Sequence, residues 1–483
     1  MLNWRFIFRF MGLILIFIGI AMMLCSIVSV IYAEDDFKAL VFAGFVTIVF
    51  GFAAWFFNRN DLGQMLKHEG FMVVTLVWVL ISVFGALPFV MSGYIPSFTD
   101  AFFETMSGFT TTGASILVDI EALPHGLLFW RSTTHLLGGM GVIVLAIAVL
   151  PYFGFGGMQL YNAEASGISS EKLHPRITQS ARVFWGIYLG LVALETIFLL
   201  FGQMPLFEAL CHSFGTIASG GFSPKNNSIA GYSAYIQYVI IVAMLCGGTN
   251  FALWYYMLNR KWDKVKVNNE LRVYLGVVIM ASLLITLFLI FKNHLPTEKA
   301  FRDALFQVTS IVTSTGFITA DYMQWHPFTI YLLFVLMFSG ASVGSTSGGI
   351  KIMRHNILFR NSILEFKRML HPQAVIPLRI GDKVITSEIV TTVLAFVILY
   401  LMIFTASSLV LTMLGVPWDS SMGACATTMG GIGPGLGSMG GPVGNFAAVP
   451  VAGKWILSFL MLIGRLELFS VLVLFSPNFW SNR

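Results

Sequence analysis

Long apolar runs recur along the whole chain, separated by short polar segments. They fall at 10–32, 39–57, 71–93, 134–154, 183–202, 232–258, 273–291, 328–347, 388–414 and 455–476. Each approaches the ~20 residues that a helix needs to cross ~30 Å of hydrocarbon, so ten spanning helices are predicted. Four shorter apolar pieces, 98–109, 206–217, 301–312 and 420–429, lie between these runs. Helices of that length do not cross a bilayer and read as re-entrant or interfacial.

Composition agrees with lipid as the main solvent. Residues are 57% hydrophobic and 11% charged, where a soluble domain carries about 25% charged residues. The net charge of +5 comes from basic residues in short loops between runs, a pattern that does not suit nucleic acid. Cys25, Cys211, Cys246 and Cys425 lie in or beside apolar segments without metal-ligand spacing, so they read as small packing residues.

Charge orients the runs. With the N-terminus inside, twenty of the 28 basic residues fall on the inner side, seven on the outer side, and one, Arg465, within a run. That bias fits the positive-inside rule with both termini inside, and puts all four short pieces on the outer side. The outer segments hold Glu34, Asp35, Asp36, Asp100, Glu104, Asp119, Glu121, Glu208, Asp303, Asp321 and Asp419. They are expected either to gather cations at an acidic mouth or to be ordinary solvated loop charge.

The short pieces align with one another. The first three open Asp100-Ala, Glu208-Ala and Asp303-Ala, and reach Gly113, Gly221 and Gly316 twelve residues after the alanine. A small residue, Ser107, Gly215 or Ser310, stands six after it. The fourth piece keeps the spacing with Ser421 in place of alanine, Thr427 as the small residue and Gly433 as the key glycine, with Gly431 as a rival. The chain thus reads as two leading helices (1–66) and four units of span, short helix, extended segment and span, at 67–160, 161–262, 263–370 and 371–483. An acid at the start of each short helix suits its N-terminal cap and dipole. Irregular backbone at membrane depth is tolerated only where it lines water or is buried in protein. Four such segments can supply carbonyls that replace an ion's hydration shell, and glycine lets them approach a narrow axis.

The quartets Thr110-Thr111-Thr112-Gly113, Ala218-Ser219-Gly220-Gly221 and Thr313-Ser314-Thr315-Gly316 resemble the Trk/Ktr/HKT superfamily of potassium transporters. So do Gly138-Gly-Met-Gly-Val-Ile-Val-Leu, Gly344-Ser-Thr-Ser-Gly-Gly-Ile-Lys351, Gly433-Pro-Gly-Leu-Gly437 and Gly464-Arg465-Leu-Glu467. The two leading helices point to the TrkH/TrkG kind of membrane subunit. The resemblance implies an all-α membrane fold with four pore helices in pseudo-fourfold arrangement. Its fourth filter quartet is Gly430-Gly431-Ile432-Gly433, and potassium is expected at Thr111, Thr112, Ala218, Ser219, Thr313, Ser314, Gly431 and Ile432. In plant relatives a serine at the first filter glycine accompanies sodium preference, and this chain has Gly113 there. The resemblance also implies a bacterial cytoplasmic membrane, a homodimer, and a cytosolic nucleotide-binding regulator of the RCK type. No cofactor is expected on this chain besides transported potassium, with rubidium also accepted.

The eighth run is interrupted by Gly340, Gly344, Ser345, Thr346, Ser347, Gly348 and Gly349. A helix there would lose about 1 kcal/mol per glycine relative to alanine. A close helix contact, with glycines spaced four apart, is one reading; a flexible intramembrane loop beneath the filter is the other, and the resemblance places a gate there. Arg465 lies deep in the last run, where an unpaired charge costs at least ~2.5 kcal/mol, so loop carbonyls and hydroxyls at 340–349 are its expected partners. Glu467, two residues on, faces elsewhere. Glu195 is a second charge within a run, with no assigned role. The basic segments 259–272 and 349–386 are candidate docking surfaces for the regulator. A proton- or sodium-coupled symporter is the alternative to a channel. An enzyme is not expected, because His135 is isolated and no titratable groups cluster within the runs.

Overall fold

The computed structural model describes residues 3–59, 67–141, 177–374, 376–381 and 383–480. Two leading helices, Trp4–Ile31 and Phe37–Phe57, form a tight hairpin. Glycines permit its close crossing: a Cβ on Gly12 would lie 2.5 Å from the Gly51 carbonyl oxygen, and one on Gly19 2.7 Å from that of Gly44. The hairpin's far side exposes Phe42, Phe45, Phe50 and Phe52, as a lipid-facing surface requires. Its turn docks on the helix His125–Gly139: Glu34 accepts from the His125 N–H at 2.6 Å, and Asp36 from the Leu127 N–H at 3.0 Å.

The four short apolar pieces are all helices, at Phe98–Phe109, Leu206–Ile217, Thr297–Val312 and Trp418–Gly430. Their caps are Ser97, Pro205, Pro296 and Pro417 rather than the acids. Proline suits this site because the first N–H groups of a helix have no internal acceptor to lose. Asp100, Glu208, Glu298 and Asp419 occupy the first turns, where they favour the dipole. The third helix begins earlier than its apolar piece, so Asp303 lies inside it instead of at its start.

Six described helices are long and apolar enough to cross a membrane: Trp4–Ile31, Phe37–Phe57, Glu69–Ser92, Ser180–Phe201, Asn269–Phe291 and Ser387–Met413. Two further runs are bent pairs rather than straight spans. Ala234–Gly247 and Phe251–Leu258 meet at 99°, and Val451–Arg465 and Phe469–Phe475 at 112°. The first bend falls at Gly247-Gly248-Thr249-Asn250, where the Asn250 side chain caps a new helix by accepting from the Ala252 N–H at 2.8 Å. At the second, Glu467 and Leu468 are both left-handed, at φ 54°, which no α-helix accommodates. The run at 328–347 is helical only over Pro327–Leu336. The helix of the fourth run starts at His125, nine residues before the apolar run; the run's portion beyond 141 lies outside the described residues. After the helix Ile352–Leu370, Leu378–Ile380 pairs antiparallel with Lys383–Ile385.

Candidate ion-conduction site

Each short helix ends in a tight turn built the same way. The Thr112 N–H donates to the Ser107 carbonyl, Gly220 to Gly215, and Thr315 to Ser310, each at 2.8 Å; Ile432 donates to Thr427 at 2.9 Å. These acceptors are the small residues of the repeat pattern. The key glycines are all left-handed, with φ of 78°, 78°, 81° and 88° at Gly113, Gly221, Gly316 and Gly433. Two residues earlier, Thr111, Ser219, Ser314 and Gly431 are also left-handed, at 53°, 56°, 53° and 67°. The rivalry between Gly431 and Gly433 thus resolves: Gly431 matches Thr111, and Gly433 matches Gly113. Holding Thr111, Ser219 and Ser314 in this region costs of order 1–3 kcal/mol each, a cost met where surrounding structure over-determines the backbone.

The four turns form a closed cycle. A Cβ on Gly113 would collide with the Gly220 carbonyl oxygen, one on Gly221 with that of Thr315, and one on Gly316 with that of Ile432. One on Gly433 would lie 2.7 Å from the Thr112 carbonyl oxygen, which returns the cycle to its start. Thr110, Thr111, Thr112, Ala218, Ser219, Thr313, Ser314, Thr315 and Ile432 are all buried around it. In the first and third units a hydroxyl pair braces the turn, Thr110 with Thr112 and Thr313 with Thr315, each at 2.8 Å.

The interrupted eighth run lies against these turns. Ser339–Gly340 pairs with Ile350–Lys351 as a short parallel ladder, closing the neck of a loop. The Thr346 hydroxyl meets Ser219 Oγ at 2.9 Å and donates to the carbonyls of Ile217 at 2.9 Å and Gly247 at 3.1 Å. The Gly348 N–H donates to Ser314 Oγ at 2.5 Å, and Phe251 N–H to the Gly344 carbonyl at 3.0 Å. Within the neck, Ser345 Oγ lies 2.9 Å from Ser347 Oγ, and a Cβ on Gly349 would lie 3.2 Å from the Gly340 nitrogen. The loop is therefore pinned at several points, and glycines 340, 344 and 348 lie on no helix at all.

Arg465 ends the helix Val451–Arg465 and spreads its guanidinium over three carbonyls. It donates to Thr346 at 2.9 Å, Gly138 at 2.6 Å and Gly139 at 2.7 Å. It thus ties the loop to the far end of the helix His125–Gly139. Glu467 turns away and pairs with Arg354. Lys351 folds back onto the Ser347 carbonyl and hydroxyl.

Several polar groups differ from their sequence reading. His135 is wedged between units, 2.7 Å from the Gly108 carbonyl and accepting from the Phe222 N–H at 3.1 Å. A lone histidine gives no sequence signal of this. Of the eleven acids read as outer, Asp35, Asp119 and Glu121 are exposed, while five others are buried or paired with a lysine. Asp36, Glu104 and Asp303 are buried, Asp100 pairs with Lys454 at 2.6 Å, and Glu208 pairs with Lys225 at 3.3 Å. The Glu208 carboxylate beside Lys225 holds that ammonium above its ordinary value. Glu195 is buried, with the Thr216 side chain beside its carboxylate and no ionic partner among the described residues.

The profile of the TrkH family, described as cation transport proteins, matches residues 37–482. The Trk system potassium uptake protein TrkH of Salmonella typhimurium is 39% identical, over 99% of this chain and 100% of its own. That of Escherichia coli K12 is 38% identical, again over 99% of this chain and 100% of its own. The crystal structure of the potassium transporter TrkH from Vibrio parahaemolyticus superposes with a TM-score of 0.89 at 34% identity, covering 99% of this chain and 100% of that one.

Proposed function

The chain belongs to the TrkH family of cation transport proteins, a family of transporters rather than enzymes, and from that premise we propose that it carries potassium into the cell through the cycle of four glycine turns. The observation that carries this reading is the closed cycle itself, with a left-handed glycine from each unit against the next unit's carbonyl. The quartets ending at Gly113, Gly221, Gly316 and Gly433 act as one selectivity filter. Potassium exchanges its hydration shell for their carbonyls, with Thr111, Thr112, Ala218, Ser219, Thr313, Ser314, Gly431 and Ile432 around it. The dehydration that this demands costs potassium less than sodium. A single chain supplies all four filter segments. The six helices long and apolar enough to cross and the two bent pairs, with the runs at 134–154 and 328–347, make ten passes in the cytoplasmic membrane in this reading, with both termini inside. The four units keep the boundaries 67–160, 161–262, 263–370 and 371–483.

The loop at 340–349 and Arg465 form the gate. In the described state the loop is hydrogen-bonded to the second and third filter turns, and Arg465 holds it there. Opening requires these bonds to break together, which suits control by a cytosolic nucleotide-binding partner of the RCK type, acting on a dimer of this chain. A second reading, potassium symport with protons or sodium, is favoured by one observation: Glu195 is a carboxyl buried within an apolar run with no ionic partner among the described residues. Planar bilayers with the purified protein separate the two. A channel gives unitary currents whose reversal follows the potassium gradient alone. A symporter gives flux that shifts with an imposed proton or sodium gradient. Equal passage of sodium and potassium by the wild type would overturn the filter assignment.

A further inference from the structure

We propose that Glu104 and Arg131 are positioning residues of the filter, a buried ionic strut that fixes the spacing between its first and second turns; this rests on the filter reading above. The two side chains meet at 2.7 Å with only 1% and 3% of their residue surfaces exposed. The carboxylate does not stop at the arginine. It accepts from the Ser115 hydroxyl at 2.9 and 3.1 Å and from the Ile116 N–H at 2.9 Å. The guanidinium reaches the other way, donating to the Ser223 carbonyl at 3.0 Å and lying 3.5 Å over the Phe222 ring. Ser115 and Ser223 each stand two residues beyond a filter glycine, Gly113 and Gly221. The strut therefore grips the outgoing segments of two adjacent units at the same level and ties both to one charge pair.

The repeat alignment shows that this is one form of a shared device. Three residues after Ala101, Ala209, Ala304 and Ser421 stand Glu104, His212, Gln307 and Ala424. His212 Nε2 lies 3.0 Å from Ser223 Oγ, and Gln307 donates to Thr319 Oγ1 at 3.4 Å. The short helix thus braces its own outgoing segment through a carboxylate in the first unit, an imidazole in the second and an amide in the third. The fourth has only a methyl at this position. Among the described residues only the first brace is ionic and only it hydrogen-bonds into the neighbouring unit; the His212 ring of the second merely packs 5.7 Å from the Phe317 ring of the third. Buried ion pairs add little to stability over apolar residues of the same size, because desolvation offsets their attraction. What this one does provide is a fixed distance. On the size-matching account of selectivity, a carbonyl cage discriminates against sodium by not contracting around the smaller ion, and a fixed distance between turns serves that.

The test uses the full-length protein in planar bilayers, reading the potassium-to-sodium permeability ratio from reversal potentials. That ratio does not depend on how much protein folds. Glu104→Gln is expected to lower it about tenfold, equivalent to about 1.4 kcal/mol at the filter. Ser115→Ala, a small change that leaves the ion pair intact, is expected to lower it about threefold. Lys454→Met breaks another, half-buried ion pair, between the first and fourth units, that touches neither outgoing segment of the strut; it is expected to lower the melting temperature and leave the ratio unchanged. Ratios within about twofold of wild type for both Glu104→Gln and Ser115→Ala would overturn the strut, as would an equal fall in Lys454→Met. Should Glu104→Gln fail to insert, Ser115→Ala decides alone. A wild type without potassium preference is a different result and strikes the filter reading instead.

Discussion

Replacing Arg465 with alanine tests the gate most directly. Its guanidinium donates to Thr346 in the loop at 2.9 Å, and to Gly138 and Gly139 at 2.6 and 2.7 Å. The last two bonds anchor the arginine; the first holds the loop. Hydrogen bonds from a charged donor are worth about 1.5–3 kcal/mol each. Removing the one that joins loop to anchor should shift the closed-to-open balance by that amount, a rise in flux of about tenfold to about 150-fold. Rubidium uptake into proteoliposomes measures the flux, and reversal potentials check that potassium preference survives. Arg465→Lys separates two causes. Lysine keeps the charge but cannot span three carbonyls, so a hydrogen-bonded latch predicts raised flux in both variants. Wild-type flux in Arg465→Lys with raised flux in Arg465→Ala would show that the arginine acts by repelling cations and not as a latch. Unchanged or lower flux in a normally inserted Arg465→Ala protein would refute its gating role altogether.

Four further outcomes are expected. Gly113→Ser should cut the potassium-to-sodium ratio, because φ of 78° costs a non-glycine residue about 1–2 kcal/mol and its Cβ is driven at the Gly220 carbonyl; Gly316→Val should abolish rubidium uptake while membrane insertion stays normal. Neutralising Lys261, Lys264 and Lys266 should weaken co-purification of the cytosolic regulator several-fold and leave basal conduction intact, since the segment at 259–272 forms no part of the filter or loop; unaffected co-purification reduces these lysines to topology signals. Glu195→Gln should leave the melting temperature unchanged or raise it by a few degrees, because the carboxyl it replaces has no ionic partner among the described residues, and a channel should keep its flux at all proton gradients in this variant.

The repeat was legible because its spacing follows from local geometry. Ser107, Gly215, Ser310 and Thr427 are small where a turn folds back on a helix end, and the glycines stand where φ must be positive. Much else was hidden from a reading by hydropathy. The bends at 247–250 and 466–468 leave the apolar run unbroken, since a run averages over a break of three residues. The start of the helix at His125 was masked by Arg131, Ser132, Thr133 and Thr134, which are polar but face protein instead of lipid. For the same reason Glu104 and Arg131 counted as outer loop charges, although each is buried against the other. The prolines that cap three short helices, by contrast, stood in the sequence at a readable spacing. Pro205 and Pro417 precede their alignment positions by four residues, as Ser97 does, and Pro296 precedes its own by eight. The loop at 340–349 was legible as a break but not as a pinned one, because its partners lie far away in sequence.

The cycle closes between the fourth unit and the first. Gly433 lies against Thr112, the Phe446 N–H donates to the Ser115 carbonyl at 2.8 Å, and Lys454 reaches Asp100. A ribosome must therefore finish most of the polypeptide before the first unit acquires its last neighbour. Until then the nascent chain holds three quarters of a ring, with no enclosed path, and Arg465, which latches the loop, follows only about thirty residues after the closing glycine. If the cycle is the filter and Arg465 its latch, as proposed, translation order delivers the lock almost together with the completed opening.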